Sequence, residues 1–128
     1  MTPFGQKVRR LRKVHKITLK QFAQEMGVSS AYFSALEHGY RGRPGPGLVQ
    51  QIAGHFNLGM EETDELKRMA ALSHPRITVD TAGLNPKATE LANLLAELIH
   101  ELDEDTIDWI IAEIRGRRAA RTRGGPTH

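Results

Sequence analysis

The stretch TLKQFAQEMGVSSAYFSALEHG, residues 18–39, decides the fold of this chain. Thr18, followed three residues later by Gln21, has the capping-box pattern that begins a helix. Gly27 can take the positive φ that ends one, and Ser29 is a second helix N-cap shortly after it. Two short helices joined by a glycine turn predict a helix-turn-helix unit.

The second helix of this unit has one apolar face and one polar face. Phe33 and Leu36 form the stripe that we expect to be buried. A helix this short is marginal alone, but a first helix packed across its back would hold it rigidly enough to enter a major groove. The alternative is an ordinary helical hairpin that binds no DNA. The outward face has no carboxylate and carries Ser30, Ala31, Tyr32, Ser34, Ala35 and His38.

Residues 4–58 resemble the phage-repressor type (XRE) helix-turn-helix family. This family has an all-α head that binds DNA, so the resemblance implies the same here. Leu19 departs from the pattern, because it stands where the family commonly has a Gln that can hold a phosphate. The matching segments are LR at 11–12, ITLKQFA at 17–23, MGVS at 26–29, YFSALEHG at 32–39, RGRP at 41–44 and IAGHFNL at 52–58.

The resemblance also implies roles for individual residues. Ser30, Ala31 and Ser34 fall where the family reads bases, and Arg12 and Glu37 fall where it often places a structural ion pair between the first and third helices. Phosphate contacts are implied at Thr18, Lys20, Tyr32 and His38. The residues that we expect at DNA are Thr18, Lys20, Gln21, Ser29, Ser30, Ala31, Tyr32, Ser34, His38, Tyr40, Arg41, Gly42 and Arg43.

Residues 39–47, GYRGRPGPG, form a loop too rich in Gly and Pro for regular structure. The segment Arg41-Gly42-Arg43-Pro44 resembles the core of an AT-hook, which lies extended in the minor groove. Gly42 would let the backbone approach the groove floor, and the two arginines would suit the narrow, negative groove of A·T-rich DNA. The alternative is a connector with two solvated arginines.

Helical periodicity predicts an all-α fold, with a five-helix head and a C-terminal two-helix hairpin. We expect a DNA-binding domain over 1–73, a linker over 74–86, the hairpin over 87–116 and a basic, disordered tail over 117–128. The tail could touch a DNA backbone or only aid solubility.

The net charge of +3 is strongly segregated along the chain. Residues 1–60 carry nine Lys/Arg and two Asp/Glu, residues 61–114 carry four and thirteen, and residues 115–128 carry five Arg and no acid. The basic head suits a phosphate backbone, so the acidic segment should point away from DNA.

The predicted hairpin has more apolar surface than two helices can cover for each other. Trp109 points away from the isoleucine stripe of its helix, so that helix is apolar on two sides. Packing on the head or on a second chain would cover this surface, and we favour a second chain. The expected homodimer interface contains Leu95, Leu98, Leu102, Trp109 and Ile111.

Other functional classes lack support in the sequence. The chain has no Cys, and its six His show no metal-ligand spacing. No Ser lies in a His–acid pattern typical of a nucleophile, so we expect no enzyme, metal or cofactor. The chain has no run of 18 apolar residues and no apolar secretory signal, which predicts a cytoplasmic protein with no membrane contact.

Together these observations predict a transcriptional regulator that binds double-stranded DNA as a homodimer. A recognition helix would enter the major groove, and the Arg-Gly-Arg loop would lie at the minor groove or the backbone. The alternative is an antitoxin or adaptor whose residues 87–116 bind a partner protein.

Overall fold

A computed structural model describes residues 1–124 of the chain. Over this range the predicted all-α fold is confirmed, and no strand is present. The chain divides into a head, Met1–Thr78, and a C-terminal unit, Val79–His128. The helices are α1 (Pro3–Val14), α2 (Leu19–Met26), α3 (Ser30–Glu37), α4 (Pro46–His55), α5 (Met60–Ala71), α6 (Pro86–Leu98) and α7 (Glu104–Gly124).

The helices of the head begin where the sequence places their caps. The Thr2 hydroxyl accepts a hydrogen bond from the Gly5 N–H at 3.0 Å, with Pro3 in the first helical position. The predicted capping box at α2 is confirmed: the Thr18 hydroxyl accepts from the Gln21 N–H, and the Gln21 side-chain oxygen accepts from the Thr18 N–H, both at 3.1 Å.

The core of the head draws on all five of its helices. Phe22 of α2 lies at its centre, fully buried, with its ring edge-on to Phe33 at 5.1 Å and stacked on Phe56 at 5.2 Å. These contacts fix α2 against α3 and against the end of α4. The buried cluster comprises Phe4, Val8, Leu11, Phe22, Ala23, Met26, Phe33, Leu36, Val49, Ile52, Phe56, Leu66 and Ala70.

The first turn of α1 abuts the last turn of α3. The Thr2 N–H donates to the Glu37 carbonyl oxygen at 2.9 Å. Gly5 is required at this junction, because a Cβ there would lie 2.8 Å from the Glu37 Cα. The Ser73 hydroxyl, just after α5, accepts from the Phe4 N–H at 2.9 Å. The start of α1 is therefore held by both α3 and the segment after α5.

An ion pair inside the head joins α1 to α3. The Arg12 guanidinium lies 3.2 Å from a Glu37 carboxylate oxygen, and the two residues are only 9% and 2% exposed. These are the residues whose pairing the family resemblance implies. Burial raises the pKa of Glu37 above its usual value, although the charge and hydrogen bond of Arg12 act to lower it. The pair therefore only partly offsets the cost of removing the carboxylate from water.

The C-terminal unit has a different character. None of residues 79–121 is buried within the single chain. The Asn85 side chain accepts from the Lys87 N–H at 2.9 Å to cap α6, and the Asp103 side chain accepts from the Thr106 N–H at 2.7 Å at the start of α7. Local capping defines these helices, but the unit has no core of its own.

The sequence-based end of the last helix is wrong. We predicted disorder from residue 117, but α7 continues to Gly124. Ala and Arg are strong helix formers, and Arg117 bonds Glu113 one turn earlier at 2.9 Å. These local preferences outweigh Gly116. Residues 125–128 of the predicted tail lie outside the described residues. Within residues 1–124, no helix combines the length and apolar character needed to cross a bilayer.

We predict strong coupling between Arg12 and Glu37. Arg12→Met or Glu37→Leu alone should lower the free energy of unfolding by about 3–5 kcal/mol, because each leaves a buried charge unpaired. The double variant should lose less than either single variant. Urea unfolding followed by circular dichroism measures this, and strictly additive losses would contradict it. Glu25→Gln, which removes a half-exposed contact with His55 at 3.0 Å, is the control and should cost about 1 kcal/mol or less.

We also predict that the difference in free energy of unfolding between the wild type and the double variant depends on pH. Because the pKa of Glu37 is raised from 4.5 by folding, the native state binds this proton more tightly than the unfolded state. Ionisation of Glu37 as the pH rises from below 4.5 to neutrality should therefore lower the stability of the wild type relative to the double variant. Urea unfolding at a series of pH values measures the difference. A difference that is constant with pH would contradict the assignment.

Candidate nucleic-acid interface

A tight glycine turn sets the angle between α2 and α3. Gly27 has a φ of 75°, in the left-handed region that glycine adopts without strain. Its N–H donates to the Gln24 carbonyl at 3.1 Å, and the Val28 N–H donates to the Ala23 carbonyl at 3.0 Å. Val28 is partly buried against the core. Two hydrogen bonds and an apolar contact thus make the unit rigid.

The face of α3 that points outward is made of small and polar side chains. Phe33, Leu36 and Glu37 are buried in the head, so the helix cannot rotate without breaking the core. Ser29 caps its N-terminus by accepting from the Tyr32 N–H at 3.0 Å. Ser30, Ala31 and Tyr32 are exposed, and Ser34 and Ala35 are half-buried. The residues expected to read bases therefore lie together on the outer side of α3.

The start of α2 presents hydrogen-bond donors to solvent. Thr18, Lys20 and Gln21 are all exposed. The capping box uses the oxygens of Thr18 and Gln21 as acceptors. A phosphate needs donors, and these can come from the Thr18 hydroxyl hydrogen, the Gln21 side-chain amide and the Lys20 ammonium group.

Aromatic rings extend the outer face past the end of α3. The His38 ring nitrogen Nδ1 lies 2.8 Å from the Ser34 carbonyl oxygen. This bond orients the ring, which stacks with Tyr40 at 6.3 Å between centroids. The Arg41 guanidinium lies 5.6 Å from the centre of the Tyr32 ring, in cation–π contact. The loop after α3 therefore folds back beside the outer face of the helix.

The two arginines of the loop contact different parts of the head. Arg41 lies over Tyr32, whereas Arg43 lines a shallow hollow with Pro44 and with residues of α4 and α5, including Lys67. Gly42 between them has a φ of 80° and turns the chain. The loop is thus bent in the free protein, where the AT-hook comparison predicts an extended segment.

The surface around α2 and α3 is positively charged. Only two carboxylates occur among residues 1–60. Glu37 is buried against Arg12, and Glu25 contacts His55 at 3.0 Å. Exposed cations remain on α1, on α2, in the turn between them and in the loop after α3, at Arg9, Arg10, Lys13, Lys16, Lys20, Arg41 and Arg43. Such a surface attracts a polyanion such as a nucleic-acid backbone.

Sequence reasoning missed the contact between Tyr32 and Arg41. The residues are separated by the end of α3 and a turn, and no periodicity predicts which way an irregular loop folds. It also missed the contact of Glu25 with His55, which joins α2 to α4. In the part of the chain that the structure describes, no group of three or more His, Asp or Glu side chains is placed to hold a metal ion.

The residues expected at a dimer interface lie in the C-terminal unit. Leu95, Leu98 and Leu102 are half-buried in the single chain. Trp109 and Ile111 are 65% and 41% exposed. Large apolar side chains are therefore open to solvent in this unit.

Comparison with known proteins places the head in a family. Residues 3–66 match the family model described as a helix-turn-helix domain. The chain is similar to an uncharacterized HTH-type transcriptional regulator, RghRB, of Bacillus subtilis (strain 168), with 39% identity over 74 residues, 58% of this chain and 50% of the relative. It is also similar to the HTH-type transcriptional repressor RghR of the same organism, with 42% identity over 61 residues, 48% of this chain and 45% of the relative.

The chain thus spans about half the length of these curated relatives. No solved structure gives a significant match. The family model covers half of the chain and includes α1 to α4 and part of α5. The chain therefore belongs to the XRE-like helix-turn-helix family that its sequence resembles.

Proposed function

We propose that this protein is a cytoplasmic transcriptional regulator, not an enzyme, that binds double-stranded DNA as a homodimer. The observation that carries the proposal is the outer face of α3, where small polar side chains lie on a helix held rigid by the buried Phe33, Leu36 and Glu37. The names of the two relatives, a transcriptional regulator and a transcriptional repressor, support it.

In this proposal α3 enters the major groove. Ser30, Ala31 and Ser34 read base edges, but their side chains are short and offer few bidentate contacts. Few base pairs are therefore read by direct contacts, and DNA shape supplies much of the specificity. Contacts to phosphates position the helix and set affinity. They come from Thr18, Lys20, Gln21, Ser29, Tyr32 and His38.

The loop after α3 adds a second contact to the DNA. Arg41 and Tyr40 lie beside α3, where they can reach the backbone flanking the major-groove site. Gly42 and Arg43 would then approach the minor groove or the backbone, with a preference for A·T-rich flanks. The bend at Gly42 in the free chain means that groove insertion requires the loop to open.

The C-terminal unit makes the dimer in this proposal. No residue from 79 to 121 is buried in one chain, so the unit needs a second apolar surface. Exposed side chains that a second copy could cover include Leu91, Leu94, Ile99, Trp109, Ile111 and Ile114. Leu95, Leu98 and Leu102 form the rest of the proposed interface.

The same apolar surface favours the second candidate, an antitoxin or adaptor that binds a partner protein through residues 87–116. A salt titration with random and A·T-rich duplexes separates the two. Tight binding with a steep loss of affinity as salt rises supports the regulator, because released counterions drive such binding. Weak DNA binding, with co-purification of a partner protein, supports the adaptor.

We predict that Ser30 and Ser34 set the sequence preference. The variant Ser30→Ala/Ser34→Ala should lose discrimination between sites by about 1–3 kcal/mol at the affected base pairs. Lys20→Ala is the matched control, because loss of a phosphate contact should weaken all sequences equally. Binding to a randomised duplex library, followed by sequencing, gives both results. An unchanged preference in the serine variant would refute the assignment of α3 to the major groove.

Replacing both loop arginines should change the salt dependence. Arg41→Ala/Arg43→Ala should reduce the slope of log affinity against log salt by up to about two units, one for each lost phosphate contact. It should also flatten any preference for A·T flanks. Arg68→Ala on α5, also an exposed arginine, is the control and should leave the slope unchanged. Fluorescence anisotropy at several salt concentrations measures the slopes, and equal slopes would exclude loop contacts.

Truncation after Thr78 tests the role of the C-terminal unit. The head should remain folded, because its core uses no residue beyond α5. It should be monomeric and bind DNA about 100-fold or more weakly, because two linked heads gain from effective concentration. Sedimentation and anisotropy of the intact and truncated chains measure these effects. A truncated chain that still dimerises with full affinity would show that the dimer forms elsewhere.

A further inference from the structure

Helix α7 carries a seam of side chains spaced alternately three and four residues apart. This spacing places them along one side of a helix, as at the a and d positions of a coiled coil. The seam has an acid at its start, three isoleucines in its middle and two arginines at its end. Its members are Glu104, Ile107, Ile111, Ile114, Arg118 and Arg121.

Two of the three isoleucines of this seam are open in the single chain, and Ile107 is half-buried. Ile114 is 60% exposed and Ile111 is 41% exposed. The seam exists because α7 continues to Gly124, since the arginines at its end would otherwise not share a helix with the isoleucines. The two ends of the seam carry opposite charges. In an antiparallel pair of α7 helices, the acidic end of one seam would lie beside the basic end of the other.

We propose that α7 pairs antiparallel with α7 of a second copy of this chain. This inference rests on the proposed homodimer and specifies its orientation. In the antiparallel pair, Ile111 packs against the partner's Ile114, and the reverse contact follows from two-fold symmetry. Arg121 then lies beside the partner's Glu104. Ile111 and Ile114 form the apolar centre, Ile107 lies opposite the partner's Arg118, and Glu104 and Arg121 of the two chains pair at both ends.

Charges beside the seam select the same orientation. Asp108 and Arg115 lie on one flank, and Asp103 and Arg117 lie on the other. In an antiparallel pair of helices, equivalent flanks of the two chains face each other. Asp108 therefore faces the partner's Arg115, in the register that Ile111 and Ile114 set. This contact occurs twice, because the pair is symmetric.

A parallel pair would bring like charges together. Glu104 would meet its own copy, and Arg118 and Arg121 would meet theirs across the seam. The flanks would place Asp103 next to the partner's Asp108, since opposite flanks meet in a parallel coiled coil. Like charges that face each other across an interface oppose association. The distribution of charge along α7 thus opposes the parallel arrangement and favours the antiparallel one.

Trp109 lies on the far side of α7 from the seam. It comes two residues after Ile107, a rotation of roughly 200° at 100° per residue. The antiparallel pair therefore leaves Trp109 outside the contact between the two α7 helices, although Ile111 stays within it. Trp109→Ala should leave this pairing intact, and the side chain remains available to another surface.

Engineered cysteines test the orientation, because the natural chain contains no Cys. Glu104→Cys and an affinity-tagged Arg121→Cys are prepared as separate full-length chains, mixed and oxidised gently. Along one helix the two positions are about 25 Å apart, at 1.5 Å per residue. The antiparallel pair should give disulfides between the two different chains. A parallel pair would give only disulfides between identical chains, and that result would overturn the inference.

Charge reversal tests the electrostatic argument in the full chain. Glu104→Lys/Asp108→Lys and Arg115→Glu/Arg121→Glu should each raise the dimer dissociation constant about tenfold or more, because attraction becomes repulsion at four places in each dimer. An equimolar mixture of the two variants should dimerise again. Asp105→Lys is the control, since it reverses one charge of α7 off the seam, and it should change the constant little. Sedimentation equilibrium measures all of these values.

The possible results distinguish a failure of the antiparallel pairing from a failure of the proposed homodimer. A wild-type chain that is monomeric in sedimentation overturns both the homodimer and the pairing of α7. A dimer that gives only identical-chain disulfides, or one that charge reversal leaves unchanged, overturns the pairing alone. Disulfides between different chains, together with recovery in the mixture, establish the antiparallel contact.

Discussion

The position of α3 depends on Glu37, which lies in its last turn and is fixed to α1. The Glu37 carbonyl accepts from the Thr2 N–H, its carboxylate meets Arg12, and its backbone packs against Gly5. A hydrogen bond from the N-cap of α1, close packing at Gly5 and the charge of Arg12 thus all act on this one residue. A helix of eight residues would fray if it stood alone. Anchored in this way, α3 can present its outer side chains in a constant geometry.

This anchoring divides α3 between two tasks. Phe33, Leu36 and Glu37 face inward and hold the helix, which leaves the outward positions unconstrained by packing. Those positions carry short side chains at Ser30 and Ala31, which would let the helix approach a groove closely in the proposed complex with DNA. The larger groups, Tyr32 and the loop that contacts it through Arg41, lie at the margin. The outer face of α3 therefore has short side chains in its centre and the positive charge of Arg41 at its margin.

The head and the C-terminal unit differ in how much of their apolar surface is buried within the single chain. The head closes a core around Phe22, which is fully buried among rings from α3 and α4. The C-terminal unit leaves side chains such as Ile114 open to solvent. Its helices are defined by local caps and by pairs one turn apart, such as Glu113 with Arg117. In the proposed homodimer a second copy would cover these side chains, and the charges along α7 would direct the pairing.

Features that depend on neighbours three or four residues apart could be predicted from the amino-acid sequence: the caps at Thr2, Thr18 and Ser29, the glycine turn and the apolar stripes. The family resemblance pointed to Arg12 and Glu37, but no pattern within the chain joins residues so far apart. The prediction of disorder from residue 117 was wrong, because it took a segment rich in Gly and Arg as disordered although α7 continues to Gly124. Three contacts became visible only in the folded chain: Gly5 lies against Glu37, Ser73 accepts a hydrogen bond from Phe4, and Arg41 covers Tyr32. These contacts depend on how helices and an irregular loop come together in space, because sequence periodicity specifies which face of a helix is buried and not which residue it meets.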